Sequence, residues 1–321
     1  MPSCRRWSKF IAVRAVGLTL VLASVGCDDS KTESPGAKPP STLSYQVFIS
    51  DPIPFDEVER APNGDPRLTP PIATTLISGD TDAILVDPPF TNDHIDRVGK
   101  WIEGTGKRLT AIVATHGHGD HWFGTAALLQ RFPNAKAYAS TGTIDVMRSQ
   151  ADPAFRAGAW DKWFPNQIPA SPIVASVPPG NSLQLEGNDV RLVEVGHSDT
   201  DKSTVVHVPS LGLIVAGDVV YNGRHQYLAE SANGGLEGWI RALDVLDSLK
   251  PVHVIASHKN PALADDPKVI EETRHYLQDA QRTLANSHTR REFYDGMVKL
   301  HPNLQDSSLL WFFGAKVLFQ S

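Results

Sequence analysis

Cysteine is almost absent from this sequence. The 321 residues include only two, Cys4 and Cys27, and both lie close to the N-terminus. A fold held together by several disulfides is therefore excluded. Because thiolates are common zinc and iron ligands, the lack of cysteine also means that a metal site in the body of the chain has to use histidine and carboxylate side chains.

The sequence also lacks a surplus of positive charge. Lysine and arginine number 30 against 36 aspartate and glutamate residues, which gives a formal net charge of −6. A nucleic-acid-binding surface needs many basic side chains, so we expect no nucleic-acid partner. The composition, 41% hydrophobic and 21% charged, is that of an ordinary globular protein with one large domain or two small ones.

No hydrophobic run is long enough to predict a membrane span. The longest apolar stretch, residues 10–25, follows a basic head with Arg5, Arg6 and Lys9, which is the layout of a secretory signal. Small residues before Cys27 resemble a bacterial lipoprotein cleavage site. We therefore expect residues 1–26 to be a signal peptide and Cys27 to carry a lipid. An ordinary signal peptide or an uncleaved anchor are the alternatives.

The segment after Cys27 is polar and rich in Pro, Ser and Lys. It predicts a flexible tether over residues 27–43. Together with the lipid, this tether would place the protein on the periplasmic or cell-surface side of a bacterial membrane.

Further along, short apolar runs alternate with amphipathic stretches. Strand hairpins come first, helices are interleaved, and a second set of strands follows. Residues 51–71 and 152–180 are rich in proline, and we expect both to be irregular. The pattern predicts strands at 45–49, 72–78, 83–86, 111–114, 135–139, 182–186, 190–195, 204–208, 213–216 and 252–258, with a turn at 187–188, and helices at 93–103, 122–131, 141–150, 236–249, 267–285, 289–300 and 307–318.

The most informative stretch is the heptapeptide from Thr115 to His121, Thr-His-Gly-His-Gly-Asp-His. It follows the apolar run 111–114, which predicts a buried strand. Its two glycines allow backbone geometry that bulkier residues resist, so that three imidazoles and a carboxylate can converge. This ligand set suits a divalent transition metal, zinc first. A histidine-rich surface turn is the alternative, and the order of the residues between a strand and a helix disfavours it.

This heptapeptide resembles the signature of the metallo-β-lactamase superfamily, and the resemblance extends over roughly residues 72–259. His197, Asp218 and His258 each close an apolar run, in the order of that family's further ligands. The resemblance implies an α/β fold, a four-layer αββα sandwich of two sheets with helices outside. We expect the catalytic domain at 44–285 and a C-terminal helical extension, 286–321, packed on it.

The resemblance also implies two metal ions, two zinc ions first, with iron or manganese as alternatives. In such enzymes the metal pair makes hydroxide available at neutral pH, and Asp120 exchanges a proton with the nucleophile or the leaving group. The implied ligands are His116, His118 and His197 for the first ion, Asp120, His121 and His258 for the second, and Asp218 as a bridge.

Asp218 and Tyr221 bear on the substrate. Zinc β-lactamases usually have Cys or Ser at the position of Asp218, whereas an Asp there resembles the glyoxalase II, lactonase and phosphodiesterase branches. Tyr221 resembles a tyrosine of the metallo-lactonases that donates to the substrate carbonyl; a packed loop aromatic is the alternative. Together they predict a dinuclear-metal hydrolase of a lactone, ester or thioester. A β-lactamase and a mononuclear-iron persulfide dioxygenase-like enzyme are the alternatives.

Two further features leave their role open. His225, shortly after the bridging carboxylate, either lines the pocket or packs in the interior. The aromatic residues of segment 152–180 form either a hydrophobic plug under a loop or an apolar wall over the metals. These aromatic residues are Phe155, Trp160, Trp163 and Phe164.

Overall fold

The computed structural model describes residues 40–319. The expected signal peptide, the expected lipidation site at Cys27 and the expected tether up to residue 39 lie outside the described residues. The last residues of the expected tether are fixed to the domain, because the Ser41 amide donates to the Glu186 carbonyl at 3.1 Å and Leu43 is buried. Residues 41–43 thus belong to the packed domain. Within 40–319, no helix combines the length and hydropathy that a membrane crossing requires.

The described residues contain twelve strands. They are β1 (Ser44–Ile49), β2 (Ile53–Pro54), β3 (Leu68–Thr69), β4 (Ala73–Ser78), β5 (Asp82–Val86), β6 (Arg108–Val113), β7 (Lys136–Tyr138), β8 (Ser182–Leu185), β9 (Asn188–Gly196), β10 (Ser203–Val208), β11 (Leu213–Asn222) and β12 (His253–Lys259).

The α-helices connect and cover these strands. They are α1 (Asn92–Gly104), α2 (Thr125–Arg131), α3 (Thr141–Ala151), α4 (Pro153–Gly158), α5 (Trp160–Trp163), α6 (Gly235–Ser248), α7 (Val269–Ala285), α8 (Arg290–Leu300), α9 (Ser307–Leu309) and α10 (Lys316–Leu318). A π-helical segment, Leu310–Ala315, joins the last two.

Two five-stranded sheets form the centre of the molecule, in the orders β1-β4-β5-β6-β7 and β12-β11-β10-β9-β8. Their facing sides share one apolar core, to which Ile77 and Val113 contribute from the first sheet and Val206 and Ile255 from the second. The outer face of the first sheet packs on α1, and that of the second on α6, α7 and α8. The predicted αββα arrangement is confirmed.

The C-terminal helices belong to the same packed unit as the strands. Phe293 of α8 and Leu310 after α9 are fully buried in the cluster that holds Leu277 of α7 and Trp239 of α6. The described residues form one compact unit. The segment after residue 285 therefore completes the outer helical layer of the second sheet.

Segment 152–180 is more ordered than its prolines suggest. It contains α4 and α5, so the expectation of an irregular segment is wrong for residues 153–163. The Asp152 carboxylate accepts hydrogen bonds from the amides of Ala154 and Phe155, each at 3.0 Å. An aspartate cap followed by Pro153 at the first helical position is a helix start signal that outweighs the proline content downstream.

The hairpin between β8 and β9 turns one residue earlier than expected. Leu185 pairs with Asn188, so the two turn residues are Glu186 and Gly187, with φ values of +47° and +83°. Positive φ at both positions identifies a type I′ turn, which matches the twist of paired strands. Glutamate is an unusual residue there, and its side chain explains its presence.

The Glu186 carboxylate fastens three parts of the chain together. It accepts the Ser41 hydroxyl at 2.5 Å and the amides of Asp80, Thr81 and Asp82 at 2.7–2.8 Å. These bonds stabilise the ionised group more than the protonated one, and they lower the pKa of Glu186 to about 2, with the Ser41 hydroxyl as the largest cause. The start of the domain, the β4–β5 turn and the β8–β9 turn are thereby linked.

Glu186→Gln should lower the free energy of unfolding at neutral pH, and the difference from the wild type should shrink in acid. The folded state holds the pKa of Glu186 below its usual value near 4.5. The unfolded chain therefore binds the proton more strongly, and this stabilisation is lost as the pH falls from about 4.5 to about 2. Urea unfolding across that range measures it. Glu59→Gln, at an exposed glutamate, is the control, and an equal effect of both changes would contradict the assignment.

Candidate metal centre

The metal-binding heptapeptide leaves the carboxyl end of β6 and tightens into a 3₁₀ turn at Gly119–His121. For this reason α2 begins at Thr125 and not at residue 122. A Cβ on Gly119 would lie 2.3 Å from the Phe123 ring, and one on Gly117 would lie 2.4 Å from Val146. Neither glycine has a positive φ. The glycines are required for space, and not for an unusual torsion as the sequence suggested.

Asp87, at the end of β5, holds this loop from behind. Its buried carboxylate accepts the Thr115 amide at 2.8 Å, the Thr115 hydroxyl at 2.9 Å and the Ser257 hydroxyl at 2.8 Å. It thereby ties the loop after β6 to β12, next to His258. In the sequence, the only signal for this role is a carboxylate directly after the fully apolar run 83–86.

The first group of candidate ligands contains His116 and His118, as expected, together with Asp199. Asp199 Oδ2 lies 2.9 Å from His118 Nδ1 and 3.5 Å from His116 Nε2. All three side chains are buried, and their ligand atoms lie close enough together to share one cation.

The second group contains Asp120, His121 and His258. Asp120 Oδ2 lies 3.5 Å from His121 Nε2 and 3.7 Å from His258 Nε2. The other ring nitrogen of His258 faces the Pro71 carbonyl at 3.0 Å, which orients the ring so that Nε2 points at the carboxylates.

Asp218 lies between the two groups. One oxygen is 3.6 Å from His121 Nε2 and also falls within reach of His116, whereas the other is 3.1 Å from His258 Nε2. Its position depends on Gly217, which has a φ of +58° and no room for a Cβ against Thr115. The left-handed residue bends β11 in mid-strand and turns the carboxylate inward.

His197 does not join the other predicted ligands. Its Nδ1 lies 2.6 Å from Asp201 Oδ1. Its Nε2 packs closely on Gly235 at the start of α6, so that a Cβ added to this glycine would lie only 2.7 Å from that nitrogen. The Ser198 amide bonds to the Thr200 carbonyl at 2.9 Å, and this turn brings Asp199 inward instead. The structure thus brings Asp199, and not the predicted His197, together with His116 and His118.

The hydrogen bonding of the two groups fits divalent cations. Buried polar atoms normally have hydrogen-bond partners, but His116 Nε2, His121 Nε2, Asp199 Oδ2 and Asp218 Oδ1 have none. His118 Nδ1 approaches Asp199 to 2.9 Å without the geometry of a hydrogen bond. Imidazole nitrogens and carboxylate oxygens that converge without bonding to one another are the donor set of zinc and similar metals.

The charges in the cluster keep its carboxylates ionised. Burial by itself raises the pKa of Asp218, but the neighbouring His258 and His121 hold it well below 3.8. Likewise, burial lowers the pKa of His121, whereas Asp120 and Asp218 raise it well above 6.5. Ionised carboxylates are the form that binds metal, and a cation that binds here displaces the proton from His121.

Glu230 was not found from the sequence. One oxygen lies 3.0 Å from His118 Nε2, and the other accepts the Thr200 hydroxyl at 2.7 Å. A carboxylate behind a metal-binding histidine fixes the ring orientation and raises its basicity. Glu230 thus holds His118 and the residue next to Asp199 together. It lies 112 positions from His118, and nothing in its local sequence marks it.

Tyr221 lies in β11, which continues to Asn222, and is therefore not a loop residue. Its hydroxyl donates to Asp218 Oδ2 at 2.8 Å, and its backbone pairs with His258. Burial, together with Asp218, raises the pKa of Tyr221 well above 10, so the hydroxyl stays protonated and remains a donor. The structure thus places the hydroxyl of the predicted catalytic tyrosine on Asp218, the predicted bridge.

His225 packs in the interior. Its Nδ1 lies 3.0 Å from the Tyr276 hydroxyl, and burial lowers its pKa to about 3. It does not line the pocket above the metal ligands, so the interior alternative applies.

A pocket of about 360 Å³ opens above His118, Asp120, Asp218 and His258. The aromatic residues of the 152–180 segment divide between the two roles considered for them. Phe164 is fully buried in a core cluster, as a plug would be. Phe155, Trp160 and Trp163 line the pocket and form an apolar wall above the candidate metal ligands.

Known proteins share this sequence pattern and this architecture. The family model described as "Metallo-beta-lactamase superfamily" matches residues 69–258. A hydroxyacylglutathione hydrolase of Parasynechococcus marenigrum (strain WH8102) is 29% identical over 175 residues, 53% of this chain and 59% of the relative. A hydroxyacylglutathione hydrolase of Actinobacillus pleuropneumoniae serotype 3 (strain JL03) is 32% identical over 151 residues, 46% of this chain and 49% of that protein.

The chain thus spans about half the length of these curated relatives. Among solved structures, a metallo-beta-lactamase family protein from Thermus thermophilus superposes with a TM-score of 0.58 at 17% identity, covering 85% of this chain and 91% of the other. That similarity supports the fold, and the family model covers more than half of the chain. The chain belongs to the metallo-beta-lactamase superfamily.

Proposed function

We propose that this protein is a metal-dependent hydrolase that holds two divalent ions, zinc first, and cleaves a lactone, ester or thioester. The observation that supports this best is the position of Asp218, between two histidine–carboxylate groups at the floor of a pocket. Divalent cations held by such ligands supply a hydroxide nucleophile at neutral pH and polarise a carbonyl oxygen.

The chain itself contributes proton transfer and orientation. The Asp120 carboxylate lines the pocket and remains partly accessible, so it can take a proton from the attacking water or return one to the leaving group. Tyr221 holds Asp218 through its hydroxyl, and Glu230 holds His118 through Nε2. Both contacts orient ligands before substrate arrives, which lowers the reorganisation needed during the reaction.

The choice of substrate bond has two supports. The curated relatives are named hydroxyacylglutathione hydrolases, which favours an acyl group attached to oxygen or sulfur. The aspartate at position 218 resembles the same branches, whereas zinc β-lactamases usually carry Cys or Ser there. β-Lactam hydrolysis and iron-dependent persulfide oxidation are the competing functions.

Metal analysis tests the proposal directly. We expect about two zinc ions per chain in the purified protein. Dialysis against a chelator should abolish ester and lactone hydrolysis, and added zinc should restore it, because the nucleophile depends on the metal. One iron per chain, with oxygen consumption on a persulfide substrate, would contradict the proposal. Hydrolysis confined to β-lactams would reject only the choice of substrate bond.

Export and lipid attachment at Cys27, with the periplasmic or cell-surface location that they imply, stay predictions. Their support is the basic head, the apolar stretch and the small residues before Cys27.

A further inference from the structure

Above the metal ligands, the pocket is walled mainly by aromatic rings from separate parts of the chain. They come from the loop between β2 and β3, from α4 and α5, from the segment after β11, and from the π-helical segment near the C-terminus. The rings of this aromatic compartment belong to Phe55, Phe155, Trp160, Trp163, Tyr227 and Phe313.

No lysine or arginine lines this pocket in the described part of the chain. Arg67 lies close behind it, with its guanidinium 4.2 Å from the Phe55 ring centroid and 4.5 Å from that of Phe313. However, Arg67 is mostly buried and paired with Glu57. Its charge is already matched by a carboxylate, so it offers no free cation to a ligand in the pocket.

The floor of the pocket adds little net positive charge. If two divalent cations bind, the carboxylates of Asp120, Asp199 and Asp218 offset three of their four charges. Glu230, which lines the pocket and contacts His118, offsets the fourth. A substrate group that enters the aromatic compartment therefore meets apolar surface and no surplus positive charge.

We propose that the aromatic compartment binds an uncharged, apolar acyl or aryl group of the substrate and discriminates against substrates with a carboxylate in that group. This inference rests on the proposed function and narrows its substrate class. A volume of about 360 Å³ suits a small molecule with one such group. Apolar surface is favourable to bury there, whereas a carboxylate would lose its water without gaining a cation.

The proposal predicts a preferred substrate that differs from the glutathione thioesters for which the curated relatives are named. Glutathione carries two carboxylates, and an enzyme that binds it well needs cations to pair with them. β-Lactam antibiotics also carry a carboxylate. We therefore expect neither glutathione thioesters nor β-lactams to be the preferred substrates, and uncharged hydrophobic esters, lactones or thioesters to be preferred over them.

Two esters of equal acyl length provide the first test. They are 4-nitrophenyl hexanoate and the mono-4-nitrophenyl ester of adipic acid, which differ by a terminal carboxylate. We expect the zinc-loaded protein to show a kcat/KM that is roughly tenfold or more higher for the hexanoate, because an unpaired charge is costly to bury. Equal or better hydrolysis of the adipate ester would overturn the proposal while leaving the hydrolase function intact.

Phe155→Lys tests where the discrimination arises. Phe155 lines the pocket and is 44% exposed, so a lysine there can be accommodated without disturbing the core. It should shift the preference toward the adipate ester by about two- to fivefold, the effect of one partly exposed ion pair. Ile173→Lys is the matched control, because Ile173 is 45% exposed and does not line the pocket. The same shift in both variants would contradict the assignment.

A binding experiment tests the pocket assignment without relying on catalytic turnover. The probes are 4-phenylbutanamide, which is neutral, and 4-phenylbutane-1-sulfonate, which is anionic, titrated into the zinc-loaded protein by calorimetry. The amide should bind more tightly, and Trp163→Ala, with its fold checked by circular dichroism, should weaken that binding. If the amide binds but no ester, lactone or thioester is cleaved, the proposed reaction fails and the pocket assignment stands. Tighter binding of the sulfonate would overturn the pocket assignment.

Discussion

Asp199→Asn is expected to lower both the zinc affinity of the first group of ligands and kcat/KM. Loss of a hydrogen-bond partner behind a metal ligand costs roughly 10–100-fold, and we expect the loss of this carboxylate to cost more. The change keeps the shape of a fully buried side chain but removes the negative charge that faces His116 and His118. Zinc content after dialysis and steady-state kinetics measure the effect.

His197→Gln is the control variant for this experiment. His197 pairs with Asp201 and packs on the start of α6, so its loss should leave the zinc content unchanged and the rate within a few fold. A zinc deficit in His197→Gln, with a normal Asp199→Asn, would restore the ligand set implied by sequence resemblance.

Asp218→Asn should have an effect at least as large, because both groups of ligands lose the carboxylate between them. One oxygen of Asp218 faces His121 and the other faces His258. The amide preserves the size of the side chain but cannot supply the negative charge. We expect fewer than two zinc ions per chain and a fall in kcat/KM of more than roughly 10²-fold. Near-normal turnover with both metals retained would show that Asp218 does not bridge them.

Tyr221→Phe separates two roles for the tyrosine and belongs with the same experiment. As the donor to Asp218 Oδ2, Tyr221 should affect metal binding, so the phenylalanine variant should release zinc to a competing chelator about 10–100-fold more readily. A donor to the substrate carbonyl would instead lower kcat at unchanged zinc affinity. The second result would support the role that the lactonase resemblance implied.

The sequence was sufficient where the interacting residues are close together along the chain. Residues 115–121 place three imidazoles and a carboxylate within one loop, and apolar runs of strand length precede each later ligand. The resemblance that this loop carries also implied the layers, and the order of strands and helices along the chain agrees with them. The helix predicted at 93–103 is likewise confirmed as α1, which buries Val98 and Ile102.

The tertiary structure decided which of several nearby side chains faces the metal site. His197, Asp199 and Asp201 all lie within five residues, and composition gives no preference among them. The turn at Ser198 and the irregular pairing at Ser203 and Thr204 direct Asp199 inward. Residues 198–202 form bends and turns rather than a strand, so strand alternation cannot predict which of these side chains faces the other candidate ligands.

Contacts between segments that lie far apart along the chain could not be predicted from the sequence either. Glu230 meets His118 across 112 positions, and the aromatic compartment combines Phe55, Trp163 and Phe313, which no local pattern links. The sequence by itself determined the histidine-rich loop and the order of strands and helices, because these follow from local order and apolar periodicity, and the resemblance carried by that loop implied the family and its sandwich. Only the folded chain placed Asp199 beside His116 and His118 and the Tyr221 hydroxyl on Asp218. It also formed the uncharged wall of the pocket. Each of these features depends on which remote surfaces pack together.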